Sequence, residues 1–166
     1  SNGYRMHGNY MQECVDAGLG FFRFSIVGYS YETYRKWMNS KNFYRTISNL
    51  HEMKRYVVKS KSKCTVATYH LILDNNNIEY EVEEYKKIVT SANVQTEIWK
   101  MHNWSGVYEP DYDREGSRKT CGRPFSPDLV IRAGGLSGAT GAVHPCCQVL
   151  GRDDEAVLGH GSLNTL

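Results

Sequence analysis

Val66-Ala67-Thr68-Tyr69-His70-Leu71-Ile72-Leu73 runs into Asp74-Asn75-Asn76-Asn77, and that into a stretch whose apolar residues Ile78, Val82, Tyr85 and Val89 recur at helical spacing. Residues 94–101 then return to the short, β-branched and aromatic texture of a strand. Val66, Thr68 and His70 alternate with Ala67, Tyr69 and Leu71, the two-residue period that sends side chains to opposite faces of a sheet. The Asp-Asn cluster is turn chemistry, and Asn77 stands where a helix N-cap belongs. Strand, turn, helix and strand in that order make a βαβ unit, which joins parallel neighbours through a right-handed crossover.

The same alternation holds upstream. Phe21-Phe22-Arg23-Phe24-Ser25-Ile26-Val27 is a buried-strand run stopped by Gly28. Before it, Tyr10, Met11, Cys14 and Val15 lie at helical spacing, with Gly18 where a helix C-cap falls. After it, Ser30 is placed to cap a helix carrying Tyr34 and Trp37. A second helix follows, with Phe43, Ile47 and Leu50 on one face. The expected architecture is α/β, a partial barrel or open sheet whose working edge is at the C-terminal ends of its strands.

The pattern breaks near residue 102. A loop rich in Tyr, Asp, Pro and Gly spans residues 102–120. Beyond it, Leu129-Val130-Ile131-Arg132 and Ala142-Val143-His144 flank a glycine-rich stretch, as the two arms of a hairpin with a long tip would. The domain reading is residues 1–101 for the α/β part, 102–120 for a linker and 121–166 for a small cysteine-bearing unit.

Composition narrows the function classes. In 166 residues, 20 Lys+Arg face 18 Asp+Glu, a net charge of +2 that demands neither nucleic acid nor an anionic membrane. Residues 1–70 carry 11 basic and 4 acidic side chains and the remainder 9 and 14, which points to different surroundings for the two parts. No stretch approaches the roughly 20 apolar residues of a spanning helix. Five cysteines, an odd number, and no charged-then-apolar leader fit a reducing cytoplasm better than an export route. The opening Ser1-Asn2-Gly3, without an initiator methionine, fits a piece of a longer protein.

Cys121, Cys146 and Cys147, with His144 and His160 near them in sequence, form the first candidate constellation. Thiolates bind iron or zinc, and a hairpin can aim sulfurs from two segments at one point. Plain buried cysteines are the alternative. Here a resemblance enters. Cys121-Gly122-Arg123-Pro124-Phe125, then Leu129-Val130-Ile131, then Gly141-Ala142-Val143-His144-Pro145-Cys146-Cys147, and Val157-Leu158-Gly159-His160-Gly161-Ser162-Leu163 resemble the first part of a SPASM domain. That domain is the auxiliary iron–sulfur extension of many radical S-adenosylmethionine (SAM) enzymes.

The upstream half resembles the radical SAM partial barrel in the same order. Ser1-Asn2-Gly3 is similar to the end of its third strand, Ala17-Gly18 and Phe24-Ser25-Ile26-Val27-Gly28 to the fourth, and Tyr31-Glu32-Thr33-Tyr34 to the helix after it. Residues 64–73 and 94–101 are then strands five and six. The resemblance implies a parent enzyme in which a reduced 4Fe-4S cluster cleaves SAM to a 5′-deoxyadenosyl radical that modifies a peptide or small molecule. It also implies an electron donor such as flavodoxin or ferredoxin. Ser25 would be a polar contact to SAM, and Cys121, Cys146 and, more weakly, Cys147 would ligate an auxiliary 4Fe-4S cluster.

Two departures stand out. The Cys-x-x-x-Cys-x-x-Cys motif that holds the SAM-cleaving cluster is absent, and Cys147 occupies the place of an aspartate found in sulfatase-maturing relatives. The expectation is therefore that this chain alone does not perform the radical step, and that a non-catalytic zinc or iron–sulfur module is the alternative.

Other candidates are weaker. His70 and His102 fall near strand ends where a proton shuttle would be useful, although lone histidines are more often structural. Tyr69 and Trp104 read as core or rim aromatics. Gly135, Gly138 and Gly141 lack the helix that a phosphate-binding turn needs behind it. Lys54, Arg55, Lys59, Lys61 and Lys63 read as a solvated helix terminus rather than a nucleic-acid stripe.

Overall fold

A computed structural model describes residues 1–101, 130–132, 141–144 and 159–160. The chain divides into two units, Ser1–Met101 and His102–Leu166. The first carries a parallel sheet in the order β1-β2-β3, built from β1 (Phe21–Ser25), β2 (Thr65–Ile72) and β3 (Gln95–Lys100). Around it lie α1 (Gly8–Asp16), α2 (Tyr31–Met38), α3 (Phe43–Lys59) and α4 (Ile78–Thr90). In the second unit, β4 (Val130–Arg132), β5 (Ala142–His144) and β6 (Gly159–His160) form an antiparallel sheet in the order β4-β5-β6.

Local chemistry explains the elements. α1 ends in a Schellman motif: Leu19 N–H donates to Cys14 O and Gly18 N–H to Val15 O, both at 3.1 Å, with Gly18 at φ +94°. The same closure ends α3, where Ser62 N–H reaches Val57 O at 3.1 Å and Lys61 takes the left-handed place at φ +54°. α2 opens with a capping box in which Ser30 and Thr33 satisfy each other's backbone N–H groups. Asn77 is the N-cap residue of α4, as its place in the sequence suggested, though its side chain makes no cap hydrogen bond; the Asp74 carboxylate caps the 3-10 turn Asn75–Asn77 before it, accepting from Asn76 N–H at 2.9 Å.

Sequential order in a parallel sheet has a strong consequence. Right-handed crossovers between β1 and β2 and between β2 and β3 put both connections on one side. On that side Phe24, Ile26 and Val66 cluster with Met11, Tyr34, Leu50, Met53 and Tyr85 from the four helices. Each such fully buried large side chain contributes roughly 1.5–3 kcal/mol. The pairings Arg23↔Ala67, Ser25↔Tyr69, Tyr69↔Glu97 and Leu71↔Trp99 assign the opposite face to Arg23, Ser25, Tyr69, Glu97 and Trp99. The helix-side face is thus mainly apolar with Thr68 and His70 set in it, and the opposite face carries these polar and aromatic residues beside the buried Ala67 and Leu71.

The backbone of residue 1 lies along the other edge of β1. Its amine donates to Arg23 O at 3.1 Å and its carbonyl accepts from Ser25 N–H at 2.7 Å, the pattern of a parallel bridge. Asn49, 4% exposed on α3, donates to Gly3 O at 2.9 Å and so ties this edge down.

Gly28 is where β1 must turn into α2. Its φ is +138°, and a Cβ there would stand 2.6 Å from Tyr34 Cα and 2.9 Å from Thr33 C, inside the first turn of the helix. Backbone cannot yield as a side chain can. Gly28→Ala is therefore expected to cost more than about 2 kcal/mol, the range of strained positions and core overpacking. Urea denaturation measures this, and an unchanged midpoint would contradict the fit.

Candidate functional site

At the C-terminal ends of β1 and β2 two groups of side chains meet, one on each face of the sheet. The inner group is fully buried. His70 is 0% exposed and Glu81 1%, and His70 Nε2 lies 2.8 Å from Glu81 Oε1. The same oxygen accepts Leu73 N–H at 2.8 Å, and Oε2 accepts Asp74 N–H at 3.0 Å. Two of these neighbours are backbone N–H donors, and His70 Nε2 is the third donor when it carries the ring proton.

The far nitrogen of the ring reaches the exit of β1. His70 Nδ1 accepts Gly28 N–H at 3.2 Å or, if it carries the proton, donates to Ile26 O at 3.3 Å. The first arrangement assigns the proton to Nε2, facing Glu81. Tyr85, one turn after Glu81 on α4, stacks on the imidazole with ring centroids 4.3 Å apart and planes 15° apart. One carboxylate thus fastens α4, the end of β2 and the β1–α2 turn together.

His70 consequently serves as a buried brace, the structural alternative, rather than meeting a substrate. Glu81 shares the helical stripe of Tyr85 and Val89, but its charge reads as solvent-facing. The available signal was His70 itself, since a polar ring inside an apolar strand requires a buried partner.

The Tyr85 hydroxyl faces Thr68 but makes no hydrogen bond of good geometry, and burial pushes its pKa up strongly from about 10. The Thr68 hydroxyl itself donates to Thr96 Oγ1 at 3.4 Å.

The outer group carries the polar chemistry. Arg23 Nη1 pairs with Glu97 Oε2 at 2.8 Å across the width of the sheet. Its guanidinium lies 5.1 Å from the Tyr69 ring centroid and 5.6 Å from that of Trp99. Those two rings meet edge to face at 5.0 Å. A planar cation held between two aromatics and a carboxylate is fixed in direction, which a mobile surface Arg is not.

Ser25, the sequence-derived SAM contact, ends β1 on this face, opposite Tyr69. Its backbone N–H is taken by Ser1 O, while no hydrogen bond of its hydroxyl is found among the described residues. A partly exposed hydroxyl at the C-terminal edge fits a polar ligand group. Arg23, Glu97 and Trp99 were not singled out in the sequence; their signal was the register that aligns positions 23, 69, 97 and 99 on one face.

Cys14 packs against the first unit's core, and Cys64 is buried there, where burial pushes its thiol pKa up. Among the described residues no group of three or more His, Cys, Asp or Glu side chains is arranged to hold a metal. Cys121, Cys146, Cys147, His102 and Trp104 lie outside the described residues. In the second unit His144 is 2% exposed, and among the described residues its Nδ1 has no hydrogen-bond partner. A buried orphan nitrogen of that kind suits a ligand to a metal centre.

The basic cluster ends α3. Lys59 lies in its last turn, and the Tyr56 hydroxyl donates to the Asp16 carboxylate at 2.8 Å and 2.9 Å. Among the described residues no helix is long and apolar enough to cross a membrane. No protein-family model matches the chain, and no curated protein matches it.

Two outcomes follow from the brace. Glu81→Ala strips His70, Leu73 and Asp74 of their acceptor and should cost about 3–5 kcal/mol, read as a lower urea midpoint; a loss below about 1 kcal/mol would show that these donors find other partners. Tyr85→Phe keeps the stacked ring and removes an unsatisfied hydroxyl, so at pH 7 it should be neutral or slightly stabilising.

Above pH 10 the variants should diverge further. There the unfolded chain releases the Tyr85 proton while the native state keeps it, so wild-type stability falls by up to about 1.4 kcal/mol per pH unit. The Phe variant should lack that share of the decline. Parallel curves for the two proteins between pH 10 and 11.5 would contradict it.

Proposed function

We propose that this chain is part of a radical SAM enzyme, comprising strands of its partial barrel and the start of a SPASM-type iron–sulfur extension. The observation that carries the reading is Ser25, whose hydroxyl has no hydrogen-bond partner among the described residues and which ends β1 on the face opposite the helices. Three parallel strands in sequential order agree with the winding of a barrel, and equally with one half of a doubly wound sheet, whose order reverses only at its switch point. Ser1 bonded along β1 agrees with a neighbouring strand at that edge, where the resemblance expects one.

Bound SAM, together with a reduced 4Fe-4S cluster, would supply the radical chemistry. The chain's own residues would do the holding. Ser25 would offer a hydroxyl to a polar group of SAM. Arg23, steadied by Glu97, Tyr69 and Trp99, would offer a fixed cation to a peptide or small-molecule substrate, or close the wall behind it. Gly28 and the His70–Glu81 brace would keep the β1–α2 turn in place, so the hydroxyl does not drift. Such positioning is worth several kcal/mol in a reaction whose intermediate must be shielded from water.

Cys121, Cys146 and Cys147 would bind the auxiliary 4Fe-4S cluster, with a flavodoxin- or ferredoxin-like protein as electron donor. The Cys-x-x-x-Cys-x-x-Cys motif is not in this sequence. This chain therefore contributes a SAM-facing wall and the extension, and radical generation belongs to a protein that carries the motif.

Calorimetric titration of the anaerobically purified full chain with SAM tests the reading. Saturable binding is expected, weakened about fivefold by Ser25→Ala, which corresponds to the loss of about 1 kcal/mol for one hydrogen bond. Absence of saturable binding, or equal affinity in the variant, would contradict it.

A further inference from the structure

The last turns of α3 and the chain leaving it carry the densest basic cluster of the protein. Lys54, Arg55, Lys59, Lys61 and Lys63 fall within ten residues that contain no acidic side chain. Arg55, Lys59, Lys61 and Lys63 are exposed. Among the described residues none of the five has an ion pair.

Helix stability does not ask for this much charge. A helix C-terminus favours a cation in its last turn, which accounts for Lys59. Lys54 and Arg55 stand before that turn, and Arg55 with Lys59 makes a like-charged i,i+4 pair, an arrangement that weakens a helix. An apolar side chain sits among these cations. Val58 is 65% exposed, four residues after Lys54 and three after Arg55 and so on their surface of the helix. Lys61 closes over the same turn, its N–H donating to Val58 O at 3.3 Å.

An apolar centre with a charged rim has the anatomy of a small protein interface, in which the rim steers the partner and the centre loses its water. A nucleic acid would need rings to stack on as well as charge. The single ring in the run, Tyr56, is tied down instead: its hydroxyl donates to the Asp16 carboxylate, which also sets a negative charge beside it. A membrane surface calls for a broader apolar face than one valine.

We infer that the C-terminal half of α3 docks an acidic protein, which sets carboxylates against Arg55, Lys59 and Lys61 and an apolar or aromatic group on Val58. The patch precedes the first residue of β2, whereas Ser25 lies beside Tyr69 toward the other end of that strand. Docking therefore does not draw on the SAM contact.

A copolymer of glutamate and tyrosine stands in for the partner, with polyglutamate, polyuridylate and vesicles containing phosphatidylserine beside it, each titrated with the full chain at low and physiological salt. Saturable binding of the copolymer is expected, tighter than that of polyglutamate and weaker as salt rises. Arg55→Gln with Lys59→Gln should lower the affinity at least fivefold and flatten the salt dependence. Val58→Ser should remove the advantage of the copolymer while sparing polyglutamate binding. Arg45→Gln, about 20 Å back along the same helix, should change neither.

These side chains are exposed, and circular dichroism checks that each variant keeps its fold. No saturable binding of the copolymer, equal affinity for the two polymers, or an equal loss in Arg45→Gln overturns the inference. So does tighter binding of polyuridylate or of the vesicles. SAM binding is read separately in the same protein, and its failure leaves the docking result standing.

Discussion

One buried carboxylate organises the C-terminal edge of the parallel sheet. Glu81 receives the His70 ring and the N–H groups of Leu73 and Asp74 within 2.8–3.0 Å. Through His70 its influence extends to Gly28, at the exit of β1. A lone buried charge would be costly, and only a full complement of donors makes it tolerable. The arrangement joins the end of β2 and α4, 11 residues apart at His70 and Glu81, to Gly28, 42 residues before His70. Burial, hydrogen bonding and ring stacking all act on one imidazole, so small displacements there are resisted from several directions.

The sheet's two faces divide the labour. The helix side is mainly apolar, from Met11 and Phe24 to Val66 and Tyr85, and supplies stability. The other side aligns Arg23, Ser25, Tyr69, Glu97 and Trp99 through parallel register alone. Parallel pairing keeps paired residues on the same face, so a two-residue period in three strands becomes a three-strand patch of chemistry. Sequential strand order then keeps both crossovers off that patch. Site and scaffold thus follow from one topological choice, and the brace fixes how the strand ends present it.

Much of this was legible in the residues. The runs at residues 21–27, 64–73 and 94–101 became strands, and Ser30, Phe43 and Gly18 stood where their helices begin or end, because period and cap chemistry act locally. The two hairpin arms also pair. Three features escaped. Glu81 reads as a solvent residue beside Glu79, Glu83 and Glu84, yet it shares a helical stripe with the buried Tyr85 and Val89, and only the tertiary demand of His70 turns it inward. The 3-10 turn that Asp74 caps ahead of Asn77 left no periodic signal beyond its turn residues. β6, two residues long, pairs with β5 too briefly to leave a periodic signature. Of the site, Ser25 could be read from its place in the strand, whereas the Arg23–Glu97 pair depends on contacts 74 residues apart.

Mapping SAM onto the folded chain by amide nuclear magnetic resonance tests the central claim most directly. The account predicts that added SAM shifts the amides of Arg23, Ser25, Tyr69 and Glu97 and leaves those of α1 and α3 unmoved. Shifts confined to the helices, or no shifts at saturating SAM, would contradict it.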